Sequence, residues 1–333
     1  MRFKFYTEAL ANVPKLSVDG TVDNSIHFSH WEGNATPEEV KADTSTEIAL
    51  KLVASPNYAA LTNGIEIVTN NHFDTDGVLS VWTVLTGARA LEYRDILISA
   101  AEAGDFSEHS SDDGVRVSIA IQGPDQASSN NEDNSPLAGL LAGEEVDDEA
   151  RAYELVLPEV ERLLSNVNAY EQLWREGWAR LAAALESFER GKSTVSEYSD
   201  SGISLVTLAP KVFDPTRHAV PYTAISKFAR GDLFLIAIPA RDGWFYRVDY
   251  PYYSWAETVV RPRVKRRDFS SALQVLNDTE TNRAGQWRTD DREMTSAVKF
   301  LDAARTMAPS LLTPDQVVAV FEKSELRVAS SVT

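Results

Sequence analysis

Residues 65–80, Ile-Glu-Ile-Val-Thr-Asn-Asn-His-Phe-Asp-Thr-Asp-Gly-Val-Leu-Ser, hold the densest chemistry in the chain. The apolar run of Ile65, Ile67 and Val68 gives way to a polar turn carrying His72, Asp74 and Asp76. Gly77 frees the backbone there, and Val78 to Leu85 follow as an apolar stretch long enough for a helix. One imidazole and two carboxylates within five residues make a set of hard ligands suited to a divalent cation. They stand at the carboxyl end of a predicted strand, the edge at which open α/β sheets bind ligands. The spacing therefore predicts a divalent metal at this turn. The structural alternative is an ordinary Asp/Gly turn between strand and helix, since short polar residues favour such turns on their own account.

The elements that must position this turn follow from the flanking pattern. Residues 44–54 read as a helix opened by the capping sequence Thr44-Ser45-Thr46-Glu47 and ended by Pro56-Asn57. Val78–Leu85 begins a second helix and Leu91–Ala103 a third, while Val115–Gln122 alternates as a strand does. A helix–strand–helix–helix–strand order is that of an α/β layer structure. Residues 123–150 are too polar to bury much surface and read as a surface loop or linker. Glu149–Arg190 is strongly helical, with Pro158 dividing it or opening a new helix. Beyond it, Ile203–Leu208 predicts a strand, and Asp232–Pro239 with Trp244–Asp249 flank an Asp-Gly hairpin turn. Leu273–Leu276 is too short to classify, and Thr295–Met307 predicts a late helix. The expected fold is α/β, with a parallel-sheet metal-binding domain over 1–125. An acidic linker and connecting helices would occupy 126–194, and a smaller α+β substrate domain 195–333.

Composition narrows the function classes. A chain of 333 residues exceeds one typical core, and 43% hydrophobic with 25% charged residues is an ordinary globular balance. No apolar run approaches the ~18 residues of a membrane span, and the start Met-Arg-Phe-Lys-Phe-Tyr-Thr-Glu lacks the apolar stretch of a secretory leader. A cytoplasmic protein without membrane partners is the expectation. Cysteine is absent, which removes disulfides, thiolate metal sites and Cys nucleophiles. The net charge of −18 is uneven: residues 1–150 hold 26 acidic against 8 basic residues, and the remainder holds 24 of each. A first half so acidic would repel a phosphate backbone, so nucleic-acid binding is not expected. Most of those carboxylates serve as solvated surface.

The order His72-x-Asp74-x-Asp76-Gly77 after a strand, continued by Ser80 in the following helix, resembles the first motif of the DHH phosphoesterase superfamily. That superfamily contains manganese-dependent hydrolases of phosphodiesters, cyclic dinucleotides and pyrophosphate. The resemblance covers about residues 60–110 and implies that His72, Asp74 and Asp76 ligate metal, with metal-activated water as nucleophile. It implies a further Asp after the next helix, a role carried onto Asp105 in Ala103-Gly104-Asp105-Phe106. The Asp-His-His triplet that names the superfamily occurs nowhere in the chain. His27 and His30 are the substitutes at hand; if they lie on a strand, residues three apart face opposite ways, so only one could reach a common ion unless the chain turns at Ser29. His30 is preferred, because the loop-like Trp31-Glu32-Gly33-Asn34 follows it. Asp43 reads as a helix cap before Thr44-Ser45 rather than a ligand.

A second resemblance is partial. Phe73-Asp74-Thr75-Asp76-Gly77 looks like the Asp-x-Asp-Gly opening of haloacid-dehalogenase-type phosphatases, which implies Asp74 as covalent nucleophile and Asp76 as general acid. Thr69-Asn70-Asn71-His72 interrupts the apolar strand that such sites carry up to the first Asp.

For the substrate side, Arg261-Pro262-Arg263-Val264-Lys265-Arg266-Arg267 is the dense basic cluster, and guanidinium forks suit phosphate or carboxylate. Charge balance is the plainer reading of that cluster. His218, in the polar loop Asp214-Pro215-Thr216-Arg217-His218, offers a second anion contact. The function expected from these signals is a metal-dependent hydrolase of a small phosphate ester or other anionic metabolite. Asp74 and Asp76 would be its catalytic residues, and His72, Asp74, Asp76, Asp105, His30 and His27 its candidate ligands. Manganese is the first expectation for the metal, with iron or magnesium suited to the same donors. The alternatives are the phosphatase just named, a metalloenzyme acting on a non-phosphate metabolite, and a non-catalytic binding protein. The sequence leaves the oligomeric state open.

Overall fold

The computed structural model describes residues 1–124, 134–214, 219–289, 295 and 298–324. These fall into two compact units. One lies within Met1–Gln126, Asn131–Ala179 and Trp255–Pro262, the other within Arg180–Ser254 and Arg263–Thr333.

The first unit is built on four short strands, β1 (Arg2–Phe3), β2 (Lys15–Val18), β3 (Ser25–Phe28) and β4 (Ile67–Thr69). They form one sheet in the order β1-β4-β2-β3, every pairing parallel. Every residue of β2 and β4 is buried, as in a parallel sheet covered on both faces. Parallel strands usually need a long crossover. Residues 19–24 suffice here because β2 is only four residues long, about 13 Å at ~3.3 Å per residue. Lys15 is buried in β2 because its ammonium is satisfied by the carbonyls of Leu10, Ala11, Val13 and Asn24.

Helices α1 (Ser45–Ala54), α2 (Tyr58–Leu61), α3 (Thr75–Thr86), α4 (Arg94–Phe106) and α5 (Asp112–Gln122) follow. Then come α6 (Pro136–Ala142), α7 (Glu149–Val156) and α8 (Val160–Ser165). Helix α1 packs against α3 and α4, and α4 against α5. The capping sequence works as read: the Thr44 hydroxyl accepts the Glu47 amide and opens α1. Asp43, read as a cap, is not one, since that position falls to Thr44. Helix α9 (Glu171–Glu189) leads out of the first unit, and Pro158 sits in the short 3-10 turn Leu157–Glu159 that separates α7 from α8.

Residues 115–122 are helical, not the strand that their alternation predicted. Ser111 caps α5 through the Gly114 amide. Val115, Val117, Ser118, Ile119, Ala120 and Ile121 are all buried, so the alternation of large and small side chains does not mark an exposed face.

The second unit holds β5 (Thr194–Tyr198), β6 (Ile203–Thr207), β7 (Leu233–Ala240), β8 (Gly243–Asp249), β9 (Gln286–Thr289) and β10 (Val298–Leu301). Its sheet order is β5-β6-β7-β8-β10-β9, with β6 and β7 parallel and the other pairs antiparallel. The hairpin β7–β8 turns where Arg241-Asp242-Gly243 predicted it, and Gly243 takes a φ of 136° that favours glycine. Helices α10 (Tyr222–Phe228), α11 (Ser270–Thr279) and α12 (Pro314–Phe321) complete the unit. Tyr246, Val248, Trp287, Phe300 and Phe321 lie in its core.

The helix expected over 295–307 is replaced by β10. All four of its residues are buried, Lys299 included, so the two-residue period of a half-exposed strand is absent. The chain is thus a mixed α/β protein with one parallel and one mixed sheet, in line with the fold class read from the sequence. Among the described residues no helix is long and apolar enough to cross a membrane.

Candidate metal centre

Three strands of the parallel sheet deliver polar residues to the same carboxyl edge. Strand β2 ends at Val18 and is followed by Asp19, β3 ends at Phe28 and is followed by Ser29-His30, and β4 ends at Thr69 before the His72 turn. Asp19 adopts a φ of 52°, the left-handed region that few residues other than glycine occupy. The Asn70 side-chain oxygen accepts the amides of Asn71 and His72, which bends the chain as it leaves β4. Asp74 then caps α3 through the Gly77 amide at 2.7 Å. Gly77 allows the close approach: a Cβ would lie 2.7 Å from the Tyr153 hydroxyl and would collide with the Asn70 amide nitrogen, so both side chains would have to shift.

These placements bring Asp19, His30, Asp76 and Asp105 together in one buried group, and Asp19, His72 and Asp74 in a second. The His30 ring Nδ1 lies 2.6 Å from the Asp43 carbonyl, which can only accept, so Nδ1 carries the proton. Nε2 is thereby turned toward Asp105 Oδ2 at 3.0 Å, Asp19 Oδ1 at 3.4 Å and Asp76 Oδ2 at 3.8 Å. His72 Nε2 stands 3.2 Å from both Asp19 Oδ2 and Asp74 Oδ2. Asp76 is fixed by the start of α1, whose Ser45 and Thr46 amides donate to its two oxygens at 2.6 and 2.7 Å. Asp19 is steadied by the Ser45 hydroxyl at 2.9 Å. One carboxylate, Asp19, therefore offers an oxygen to each group.

Several polar atoms at this edge are buried yet lack a hydrogen-bond partner, among them Asp19 Oδ2 and His30 Nε2. Nε2 stands between three carboxylate oxygens without a hydrogen bond to any of them. Acceptor atoms that converge without donors between them are the arrangement of a ligand set, and oxygen with imidazole suits Mn, Fe, Mg or Zn. The residues present thus fit a divalent cation.

The electrostatics describe the same crowding. Burial, together with the charge of Asp19, pushes the Asp76 carboxyl up to about 7. Burial and the charges of Asp74 and Asp76 raise Asp105 well above the usual carboxylate range. Burial alone would depress His30, but Asp105 and Asp19 hold it well above the ordinary histidine value. For His72 burial is likewise outweighed, by Asp74 and Asp19. Asp19 is buried too, yet His30 and His72 keep it below the ordinary carboxylate range. Without a cation the cluster holds extra protons in its place.

Of the residues singled out in the sequence, His72, Asp74, Asp76, Asp105 and His30 meet at this edge. His27 does not: it lies within β3, with its ring between the Val22 carbonyl and the Ala35 amide. Arg261 binds Asp43, Glu102 and Glu108 with its guanidinium, Arg263 is exposed, and His218 lies outside the described residues. Asp19 was missed. Its signal is the apolar Leu16-Ser17-Val18 ending in Asp19-Gly20, a strand too short to stand out by periodicity.

Among curated proteins none is similar enough to count as a relative of this chain. One solved structure similar to it is a pGpG-specific phosphodiesterase, PggH, from Vibrio cholerae, at 9% sequence identity and a TM-score of 0.29. The match covers 87% of this chain and 78% of that one, and a likeness so distant fixes neither the fold nor the activity. A family model matches residues 1–323, nearly the whole chain, and is described as a family of unknown function, DUF6687. The chain belongs to that family.

Proposed function

We propose that this protein is a metal-dependent hydrolase of a small phosphate ester or another anionic metabolite, with two cation positions sharing Asp19. The observation that carries the reading is the Asp19 carboxylate, buried at a left-handed strand end with one oxygen toward His30 and the other toward His72. His30, Asp76 and Asp105 would complete one position, and His72 with Asp74 the other. Bound divalent metal would supply a nucleophile from water near neutral pH and would polarise the anion.

The chain's own residues prepare that chemistry. The Asp43 carbonyl keeps the His30 proton on Nδ1, so its Nε2 lone pair is presented without a competing tautomer. The two α1 amides hold Asp76 in one orientation, so no side-chain ordering remains to be done when an ion arrives. The reading agrees with the resemblance to the DHH phosphoesterases, with Asp19 and His30 taken as ligands in a chain that lacks that superfamily's named triplet. Manganese is the metal to try first.

A haloacid-dehalogenase-type role for Asp74 is less well supported. One of its oxygens caps α3 and the other faces His72, which leaves it poorly placed as a free nucleophile. The test is hydrolysis of bis-p-nitrophenyl phosphate and of natural nucleotides by chelator-treated protein, with and without added Mn²⁺. Activity that depends on Mn²⁺ and is lost in Asp19→Asn supports the proposal. Activity abolished by Asp74→Asn but retained in Asp19→Asn would favour the covalent alternative, which itself uses Mg²⁺ beside the nucleophile.

A further inference from the structure

The segment Trp255–Pro262 belongs to the first unit although the chain on either side of it belongs to the second. It lies across the candidate centre and is pinned at four places. The Trp255 indole meets the His30 ring edge-on at 5.0 Å, and its Nε1 points to the Asp105 carbonyl at 3.4 Å. The Glu257 amide donates to the His30 carbonyl at 2.8 Å. The Asp43 carboxylate accepts the amides of Val259, Val260 and Arg261, the last at 3.0 Å. The Arg261 guanidinium then reaches Asp43 at 2.8 Å, Glu102 at 2.7 Å and Glu108 at 2.5 Å, and stacks over Phe106 at 4.8 Å.

These partners bracket the candidate ligands. Asp43 is the residue whose carbonyl orients His30. Glu102 lies one helical turn before Asp105 on α4, and Glu108 three residues after it. Arg261 thus ties the residue that orients one ligand to both sides of another. Three carboxylates around one half-buried cation would spread apart on its removal, because like charges partly shielded from water repel.

We propose that Arg261 is a positioning residue of the metal centre, clasping Asp43 to the end of α4 so that His30 and Asp105 face the same ion. The proposal rests on the metal-binding reading above. It differs from the substrate contact expected from the sequence, since the guanidinium fork is engaged by carboxylates of its own chain. A lysine would keep the charge but not the fork, which reaches three partners at once.

The test is Mn²⁺ binding by calorimetry to the full, chelator-treated chain, with folding checked by circular dichroism. Arg261→Ala weakens Mn²⁺ binding by about 10–100-fold, the usual effect of losing an outer partner of a metal ligand. Arg261→Lys, the milder variant, gives a smaller loss of the same sign. Arg263→Ala, at an exposed neighbour, leaves binding unchanged. A second readout needs no metal: the slowly exchanging His30 Nδ1 proton, seen by NMR in the wild-type apo protein, is broadened or lost in both Arg261 variants. If Arg261→Ala does not fold, Arg261→Lys decides on the same two readouts. Folded Arg261 variants that bind Mn²⁺ within twofold of wild type and keep the His30 signal overturn the proposal. Wild-type protein that binds no Mn²⁺ overturns the metal reading instead, and leaves the NMR comparison to judge the clasp.

Discussion

Two fully buried aspartates show that buried charge has two different meanings in this molecule. Asp249 on β8 carries its own counter-charge: Arg247 and the Tyr222 hydroxyl bind one oxygen, and the Thr295 hydroxyl donates to the other at 3.1 Å. Asp76 at the start of α3 receives two backbone amides but no permanently charged side chain, and stands among Asp19, Asp105 and His30. Arg247 is a resident counter-charge for Asp249, and its permanent cation makes an added one unwelcome. The Asp76 group is short of positive charge, and protons fill the deficit until something better arrives. A buried carboxylate alone therefore marks no site; a buried carboxylate without a resident cation does.

The sharpest way to break this contrast is to neutralise one aspartate in each region. Asp249→Asn leaves Arg247 buried beside a neutral amide and lowers unfolding free energy by about 3–5 kcal/mol, measured by denaturant titration. It leaves metal binding by the folded protein unchanged. Asp19→Asn acts in the opposite sense. It weakens Mn²⁺ binding about a hundredfold or more, equivalent to ~2.7 kcal/mol of binding free energy, measured by calorimetry. Equal effects of the two substitutions on metal affinity would erase the distinction.

Asp105→Asn sharpens it further. Burial and the charges of Asp74 and Asp76 hold the Asp105 carboxyl well above the usual carboxylate range, and an amide is close to isosteric with its protonated form. Apo stability changes by less than about 1 kcal/mol, while Mn²⁺ binding falls. A large loss of apo stability would mean that the carboxylate serves the fold and not an ion.

The pH dependence of the apo protein carries the same signature. Asp76 titrates near 7 in the folded chain against about 3.9 in the unfolded one. The folded state therefore binds more protons between these values, so its stability is greatest below about pH 4 on this account and falls as pH rises through 7. Asp105 and the raised histidines act in the same direction, whereas Asp19, held low, acts only at more acidic pH. Saturating Mn²⁺ displaces these protons, so its affinity rises with pH over the same window. Thermal melts at pH 5 and 8, with and without Mn²⁺, check both slopes.

Among the substitutions at the metal centre, the smallest expected effect on Mn²⁺ affinity is at Gly77. Gly77→Ala forces Asn70 and Tyr153 aside and costs about 1–3 kcal/mol of stability, with a modest loss of Mn²⁺ affinity through the displaced Asp74. Denaturant and metal titrations on one preparation measure the two together.

How much of this was legible in the sequence varies with the physical signal. The His72-x-Asp74-x-Asp76 turn announced itself because three ligands and a glycine fall within one loop. His30 is preferred to His27 because loop-like residues follow it, and β3 does end between the two. Asp19 was hidden because β2 is four residues long and begins with a buried lysine. The role of Arg261 could not be read at all, since its partners Asp43, Glu102 and Glu108 are 218, 159 and 153 residues away. The misread segments share one cause: α5 and β10 are buried nearly all round, and amphipathic periodicity has no exposed face to reveal there.

The central claim is tested most directly by equilibrium dialysis of chelator-treated protein against Mn²⁺, with bound metal counted per chain. The account predicts two ions per wild-type chain and none held tightly by Asp19→Asn. Wild-type protein that retains no stoichiometric Mn²⁺, or an Asp19→Asn variant that retains as much as wild type, would contradict it.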